Sequence, residues 1–325
     1  MDIQKELDIF LITYNRKYFL ENTLESIFSE TSPIKNLDIT ILDNASTDGT
    51  SELIREYLQK FSNIKYIRHN KNIGGNANIC RAFELASKKY FWIICDDDKY
   101  DWHNWQEIES ALNKNYDLVL TQRTVPLDKM DEAELINQLS FLPSGIFKTE
   151  NLTEDVLQAA YNNISNTFPH LALVCYLFNE KKSYYLPKET VIKQGWNLKT
   201  NSTVNMNRGI EKFVYHRFEY PNIFTFYINS FQMLKDKRLR KKCCEKIFTG
   251  YHFYFAMLVS FIENKFYIYN ISDIFFGISF CQKFVFLFSF LTYIIFILPF
   301  KFILGKNFDN LVNKMRNIKR KLENK

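Results

Sequence analysis

The first 125 residues alternate short apolar runs with segments whose apolar residues recur every three or four positions. Leu7-Asp8-Ile9-Phe10-Leu11-Ile12-Thr13-Tyr14 predicts a strand. Tyr18 to Ser29 predicts a helix with a stripe of Phe19, Leu20, Leu24, Ile27 and Phe28. Leu37 to Leu42 is the second expected strand, ending at Asp43, and Thr47 to Phe61 the second helix, behind Ser46-Thr47-Asp48. A third strand, Asn63 to Ile67, and a third helix, Asn76 to Lys88, lead to the strand Tyr90-Phe91-Trp92-Ile93-Ile94-Cys95. Trp102 to Leu112 reads as a helix and Leu118-Val119-Leu120-Thr121 as a further strand. This alternation predicts an α/β fold, a mostly parallel sheet with right-handed crossovers and flanking helices. Ligands of such sheets bind at the carboxyl ends of the strands, near the switch in strand order.

The pattern changes toward the C-terminus. Val125 to Gln138 is acidic and reads as irregular, either a loop over a ligand or a solvated connection. Phe224 to Phe261 has helical periodicity around the charged stretch from Lys235 to Lys242. Residues 284–300 are apolar and uncharged between Lys283 and Lys301. At about 1.5 Å per residue the segment is borderline for a hydrocarbon core of roughly 30 Å. A spanning helix, a core helix and a helix at the membrane surface all fit that pattern. The tail beyond it carries Lys301, Lys306, Lys314, Arg316, Lys319, Arg320, Lys321 and Lys325 against only Asp309 and Glu323, which suits an anionic surface.

Composition refines this little. A chain of 325 residues holds one large domain or two smaller ones, and its net charge of +6 is modest. The 31 Phe and 19 Tyr make aromatic richness a poor ligand signal here, so Trp196 after Gln194-Gly195 reads as core more readily than as a sugar-stacking ring. Cys80, Cys95, Cys175, Cys243, Cys244 and Cys281 form no C-x-x-C pair and are expected to be reduced packing residues of a cytosolic protein. Met1 to Glu6 has no basic-then-apolar signal pattern.

The candidate chemistry sits at the predicted strand ends. The fourth strand runs into Asp96-Asp97-Asp98. Three adjacent carboxylates repel unless a cation offsets them, which a divalent ion holding a phosphate would do. The alternative is a solvated acidic turn before the helix at Asp101-Trp102. The first strand ends in Thr13-Tyr14-Asn15-Arg16 and the second in Asp43-Asn44-Ala45-Ser46-Thr47-Asp48-Gly49-Thr50. There Asp43 is either a ligand contact or a turn former. Gly74-Gly75 permits close backbone approach to a ring or phosphate, or makes a plain turn. Its spacing matches neither a Walker loop nor a dinucleotide fingerprint.

Taken in order, these motifs resemble the family 2 glycosyltransferases with the GT-A fold. The residues that carry the resemblance are Phe10 to Arg16, Leu42 to Thr50, Asn72 to Asn78 and Trp92 to Asp98, all within the first 125. Beyond them, Ser144-Gly145-Ile146-Phe147-Lys148 looks like a strand of the acceptor half, and Phe168-Pro169-His170-Leu171 is similar to a segment of some bacterial surface-polysaccharide members.

The resemblance implies roles. Thr13, Tyr14 and Asn15 would line a nucleotide cleft. Asp43 would accept from the base ring, favouring a UDP- or dTDP-sugar, and Gly74 and Gly75 would pack near that base. Asp96 would contact the ribose and Asp98 would bind Mg²⁺ or Mn²⁺ at the diphosphate, with Asp97 the variable middle residue of the D-x-D motif. Family members of this kind invert the anomeric centre with a carboxylate base in the acceptor half. No Glu-Asp pair stands in the region expected for it, the adjacent Glu154-Asp155 reading as a helix start, which leaves His170 as candidate base and Glu150, Asp155 and Glu180 nearby in sequence.

The implied organisation is a donor half (1–125), an acceptor half (126–223) and a helical C-terminal region (224–325) with a membrane-associated segment near 284–300. Nucleotide sugars are cytosolic and the basic tail favours the same side, which one crossing cannot satisfy. The expectation is a peripheral or monotopic enzyme at the cytoplasmic face of the inner membrane. It would act on a lipid-linked or lipopolysaccharide-type acceptor and bind no nucleic acid. Two alternatives stay open. One is a catalytically silent binding or scaffold protein. The other is a nucleotidyltransferase, whose glycine-rich loop is missing from Thr13 to Lys17.

Overall fold

The computed structural model describes residues 3–164, 168–193, 227, 229–247, 258, 280–305 and 307–308. A short helical turn, α1 (Ile3–Glu6), leads into β1 (Leu7–Thr13). There follow α2 (Lys17–Ile27), β2 (Ile39–Asp43), α3 (Thr50–Lys60), β3 (Ile64–Arg68), α4 (Gly75–Leu85) and β4 (Tyr90–Cys95). The next elements are β5 (Lys99–Tyr100), α5 (Trp105–Asn113), β6 (Leu118–Leu120), α6 (Glu132–Gln138) and β7 (Gly145–Lys148). After them come α7 (Glu154–Asn162), α8 (Leu171–Asn179), β8 (Tyr184–Tyr185) and β9 (Ile192–Lys193).

Among the described residues the main sheet has the order β3-β2-β1-β4-β7-β6-β8, with β5 and β9 in a separate antiparallel ribbon. The pairs β1–β2, β1–β4 and β2–β3 are parallel, whereas β7 runs antiparallel to both β4 and β6. Residues beyond 125 therefore complete the sheet begun by the first 125. Gly145 is required at that junction, because a Cβ there would lie 2.8 Å from both the Leu118 side chain and the Phe147 ring.

The apolar runs became central strands because the sheet is covered on both faces. Phe91 and Ile93 enter a core with residues of α4, α7 and α8, while Tyr90, Trp92 and Ile94 enter one with residues of α2, α3 and α5. Trp92 keeps its indole N–H satisfied on the Pro143 carbonyl at 2.9 Å.

The expectation for Val125 to Gln138 needs correction: its second half is α6. Asp131 caps this helix by accepting from the Glu134 N–H at 2.8 Å, and Ala133, Leu135 and Ile136 are buried. Of the acidic residues that suggested a loop, Asp131, Glu132 and Glu134 are the helix cap and first turn, and Asp128 lies in a 3-10 turn before them. The helix expected from Thr47 begins instead at Thr50, after Gly49 turns the chain at φ +89°.

Toward the C-terminus, α9 (Lys237–Ile247) buries Cys243 and Cys244. A second helical stretch comprises α10 (Phe280–Thr292), one π turn (Tyr293–Ile297) and α11 (Leu298–Leu304). Its segment Lys283–Leu304, with mean hydropathy 2.2, is long and apolar enough to cross a membrane by length and composition. All six cysteines are free thiols. Trp196, parts of 224–261 (224–226, 228, 248–257 and 259–261) and the basic tail from residue 309 lie outside the described residues.

Candidate active site

Parallel register brings three strand tips together. Thr13 pairs with Asp43 across β1–β2, and Ile12 pairs with Cys95 across β1–β4. Thr13, Asp43 and the aspartate triplet therefore occupy one rim of the sheet, where the sequence placed them.

The triplet is held from below and from the side. Thr13 donates its hydroxyl to Asp96 Oδ2 at 2.7 Å. Arg16 Nη1 lies 2.9 Å from both Asp96 Oδ1 and Asp97 Oδ2. Thr23, from the buried stripe of α2, donates to the backbone carbonyls of Asp96 at 2.9 Å and Asp98 at 3.3 Å. Burial pushes the Asp96 carboxyl up to about 6 despite the opposing pull of Arg16. Asp98 is pushed up to about 8 by burial and then by its neighbours Asp97 and Asp96.

Asp98 is 3% exposed, and its Oδ2 has no hydrogen-bond partner among the described residues. Donor atoms of Cys95, Asp97 and Asp98 lie within 4.8 Å of one another. A buried, unpartnered carboxylate oxygen beside a second carboxylate fits a hard divalent cation such as Mg²⁺ or Mn²⁺, which takes one or two protein oxygens and completes its shell elsewhere.

At the β2 tip, Asp43 is fully buried. Its Oδ1 accepts from the Ser46 N–H at 2.9 Å and its Oδ2 from the Tyr66 hydroxyl at 2.7 Å, with Arg68 Nε at 3.5 Å. Asn15, at φ +50°, donates its N–H to Ser46 Oγ at 2.9 Å and accepts from the Thr47 N–H at 2.7 Å. Asp48 accepts from the Lys17 N–H at 2.9 Å. The loops after β1 and β2 are thus laced together, and Tyr14 is half-buried beside them.

The glycine loop is tied to the same tip. Asn44 donates to Asn72 Oδ1 at 2.7 Å and accepts from the Ile73 N–H at 2.8 Å. Asn72 Oδ1 also accepts from the Gly74 N–H at 2.8 Å. Gly74 has φ +91° and ψ 147°, a conformation reserved in practice for glycine, while Gly75 opens α4. Asn78 donates to the Leu42 carbonyl at 3.0 Å, and Asn76 reaches the Ile164 carbonyl at 2.9 Å.

His170 lies at the N-terminus of α8 and is 3% exposed. Its Nε2 donates to the carbonyls of Leu139 and Ser140, both at 3.1 Å, and its Nδ1 has no partner among the described residues. Burial lowers its pKa to about 4. Of the nearby carboxylates, Glu150 pairs with Lys148, Glu180 pairs with Lys235, and Asp155 sits in the first turn of α7.

Arg16, Thr23, Asn44, Asn72 and Asn78 went unassigned in the sequence. Thr23 left one signal, a hydroxyl inside the apolar stripe of a helix. Asn44 and Asn72 left none, since Asn is ordinary in a turn, and Asn78 lies inside a predicted helix with nothing to mark its side chain.

Residues 8–178 match the family described as Glycosyl transferase family 2. Abequosyltransferase RfbV of Salmonella typhimurium is 28% identical over 219 residues, covering 57% of this chain and 65% of that protein. The GalNAc(5)-diNAcBac-PP-undecaprenol beta-1,3-glucosyltransferase of Campylobacter jejuni is 28% identical over 95 residues, 29% of this chain and 30% of that protein. The chain thus spans less than two thirds of the length of either relative.

Among solved structures, S. aureus TarS 1–349 in complex with UDP-GlcNAc superposes with a TM-score of 0.54 at 15% identity, covering 84% of this chain and 79% of that one. Mannosyltransferase PcManGT from Pyrobaculum calidifontis, in complex with GDP-Man and Mn²⁺, gives 0.52 at 12% identity, covering 89% and 87%. Shared architecture with these structures and a family match over more than half its length establish that the chain belongs to glycosyl transferase family 2 and has the GT-A fold.

Proposed function

We propose that the chain transfers a glycosyl group, with inversion, from a UDP- or dTDP-linked sugar to a membrane-held glycan of the lipid-linked or lipopolysaccharide type. The product would be a bacterial surface polysaccharide. The observation that carries this reading is the convergence of Thr13, Asp43 and Asp96 to Asp98 on one rim, with one buried Asp98 oxygen left unpartnered. The relatives named above act in glycan assembly, and one is named for an undecaprenol-linked acceptor.

In this reading residues 1–125 form the donor half, 126–223 the acceptor half and 224–325 the helical region at the cytoplasmic face of the inner membrane. Thr13, Tyr14 and Asn15 line the nucleotide cleft, with Gly74 and Gly75 beside the base. Asp96 keeps lone pairs beyond those used by Thr13 and Arg16, enough to accept from a ribose hydroxyl. Asp43 likewise keeps acceptor capacity on Oδ1, although it is covered here.

Asp98 would hold Mg²⁺ or Mn²⁺, and when bound that ion offsets the charge growing on the departing diphosphate. Thr23 fixes the backbone that aims Asp98, and Arg16 neutralises Asp97 beside it. His170 is the candidate base through Nδ1, because Nε2 carries the proton shared by two carbonyls. A ring with a pKa near 4 is neutral but weakly basic, and its contacts favour positioning the Leu139–Ser140 turn over proton abstraction. A binding protein without turnover is the second reading. It is favoured by the engagement of Glu150 and Glu180 with lysines.

Thermal shift with a panel of nucleotide sugars, with and without Mn²⁺, tests the proposal. A uridine or thymidine diphosphate sugar should raise the melting temperature more strongly with Mn²⁺. No response to any member under either condition would sink it.

A further inference from the structure

The geometry points to a one-leaflet insertion. The helical stretch from Phe280 to Leu304 docks on the protein core by one seam and embeds its remaining apolar surface in the headgroup–acyl boundary of an anionic membrane, without crossing it. This deepens the membrane reading above, and its test uses no sugar transfer, so the two can fail separately.

The seam is Phe286 at 3%, Ser289 at 0% and Tyr293 at 9% exposure, spaced three and four residues apart on one helix face. Val285, Phe290, Ile297 and Leu298 pack partly against the same core. The Ser289 hydroxyl is satisfied by the Val285 carbonyl at 2.7 Å. Opposite the seam, an ordinary surface helix would be polar. Here that face shows Phe284 at 60%, Phe288 at 64%, Leu291 at 51% and Ile295 at 57% exposure. Such a continuous apolar surface marks a partner.

Length separates insertion from crossing. The Lys283–Leu304 segment has 22 residues, enough for a core of about 30 Å. Its seam from Val285 to Leu298 is already occupied by protein, and crossing would strip Phe286 and Tyr293 from that packing. Within the stretch Phe280 to Leu304, α11, seven residues, has no buried residue. It is about 10 Å long, so the part of the helix free of the seam falls far short of a bilayer.

Charge and shape identify the occupant. The sequence that follows the uncharged stretch carries Lys306, Lys314, Arg316, Lys319, Arg320, Lys321 and Lys325 against Asp309 and Glu323, a balance that suits anionic phosphates beside a helix lying along the surface. A second copy of the chain would cover one stripe. The exposed residues of α11, Phe300 at 60%, Phe302 at 83% and Ile303 at 78%, instead point around the helix, as only a surrounding solvent of lipid can cover.

The full chain should float with phosphatidylcholine vesicles containing phosphatidylglycerol and much less with phosphatidylcholine alone. The F302S/I303S variant should lose at least about tenfold in vesicle affinity, with an unchanged melting temperature because neither residue packs on the core. Emission gained in F302W should be quenched more by lipids brominated near the headgroup than by lipids brominated near the bilayer centre. Unchanged flotation of F302S/I303S, or stronger quenching from the centre, overturns the proposal. So does a dimer in sedimentation that F302S/I303S dissociates while vesicle binding persists.

Discussion

Arg16 and Asp97 form a 2.9 Å ion pair at the mouth of the site, and the same guanidinium nitrogen lies 2.9 Å from Asp96. One cation thus offsets two of three adjacent carboxylates. The middle aspartate of the triplet is a partner for Arg16 rather than a spacer, and Asp98 is left as the acid without a counter-charge.

The two ends of that clamp should differ in cost. Arg16→Gln leaves buried Asp96 with Thr13 as its remaining side-chain donor and should destabilise the protein by about 2–4 kcal/mol. Asp97 is 35% exposed on its side chain, and Asp97→Asn should cost less than about 1 kcal/mol. Urea unfolding at pH 7 reads both, and equal losses would contradict the clamp.

Asp98→Asn should stabilise the metal-free protein while removing the Mn²⁺-dependent part of nucleotide binding. The Asp98 carboxyl ionises near 8 when folded and near 3.8 when unfolded. Between those values the folded state binds more protons, so raising the pH works against folding. Asparagine removes this penalty, and its advantage should grow from pH 5 to pH 8, reaching about 1 kcal/mol or more. Melting curves across that range, without metal, check the sign.

The two glycines of the loop are not equivalent. Gly74→Ala forces a side chain into a glycine-only conformation and should cost about 1–3 kcal/mol. Gly75→Ala opens a helix with its best former and should be neutral or mildly stabilising. Chemical denaturation of the two variants side by side separates backbone strain from any general need for small residues.

His170 should make stability fall on mild acidification. Its imidazole binds a proton near 6.5 when unfolded and near 4 when folded. The unfolded state therefore takes up more protons between those values. The stabilisation is complete above about pH 6.5 and up to about 3 kcal/mol is lost by pH 4. His170→Gln should flatten that slope, and an unchanged slope would show that other groups cause it. If His170 is the catalytic base, the same variant should lose transfer while retaining nucleotide binding; if it only positions the turn, loss of activity should track loss of stability.

Much of the site was legible because parallel α/β sheets deliver consecutive loops to one edge. The ends of β1, β2 and β4 had to meet once those strands paired in parallel, so Thr13, Asp43 and the aspartates were recognisable together. The Arg16 clamp was not legible, since its partners lie 80 and 81 residues away. Neither was the Asn44–Asn72 clasp, made by two residues that turns use freely. α6 escaped notice because its acidic cap and first turn outweighed a short apolar pattern.

Local periodicity and turn chemistry were enough to define the alternating elements and to mark which polar residues stand at strand ends, since both depend on neighbours a few positions apart. Long-range packing settled the rest. It slotted antiparallel β7 between β4 and β6, turned His170 onto two backbone carbonyls, and chose Phe286, Ser289 and Tyr293 as the buried seam of a helix apolar on every side. Burial is a property of the partner as much as of the residue, and those partners come from distant parts of the chain.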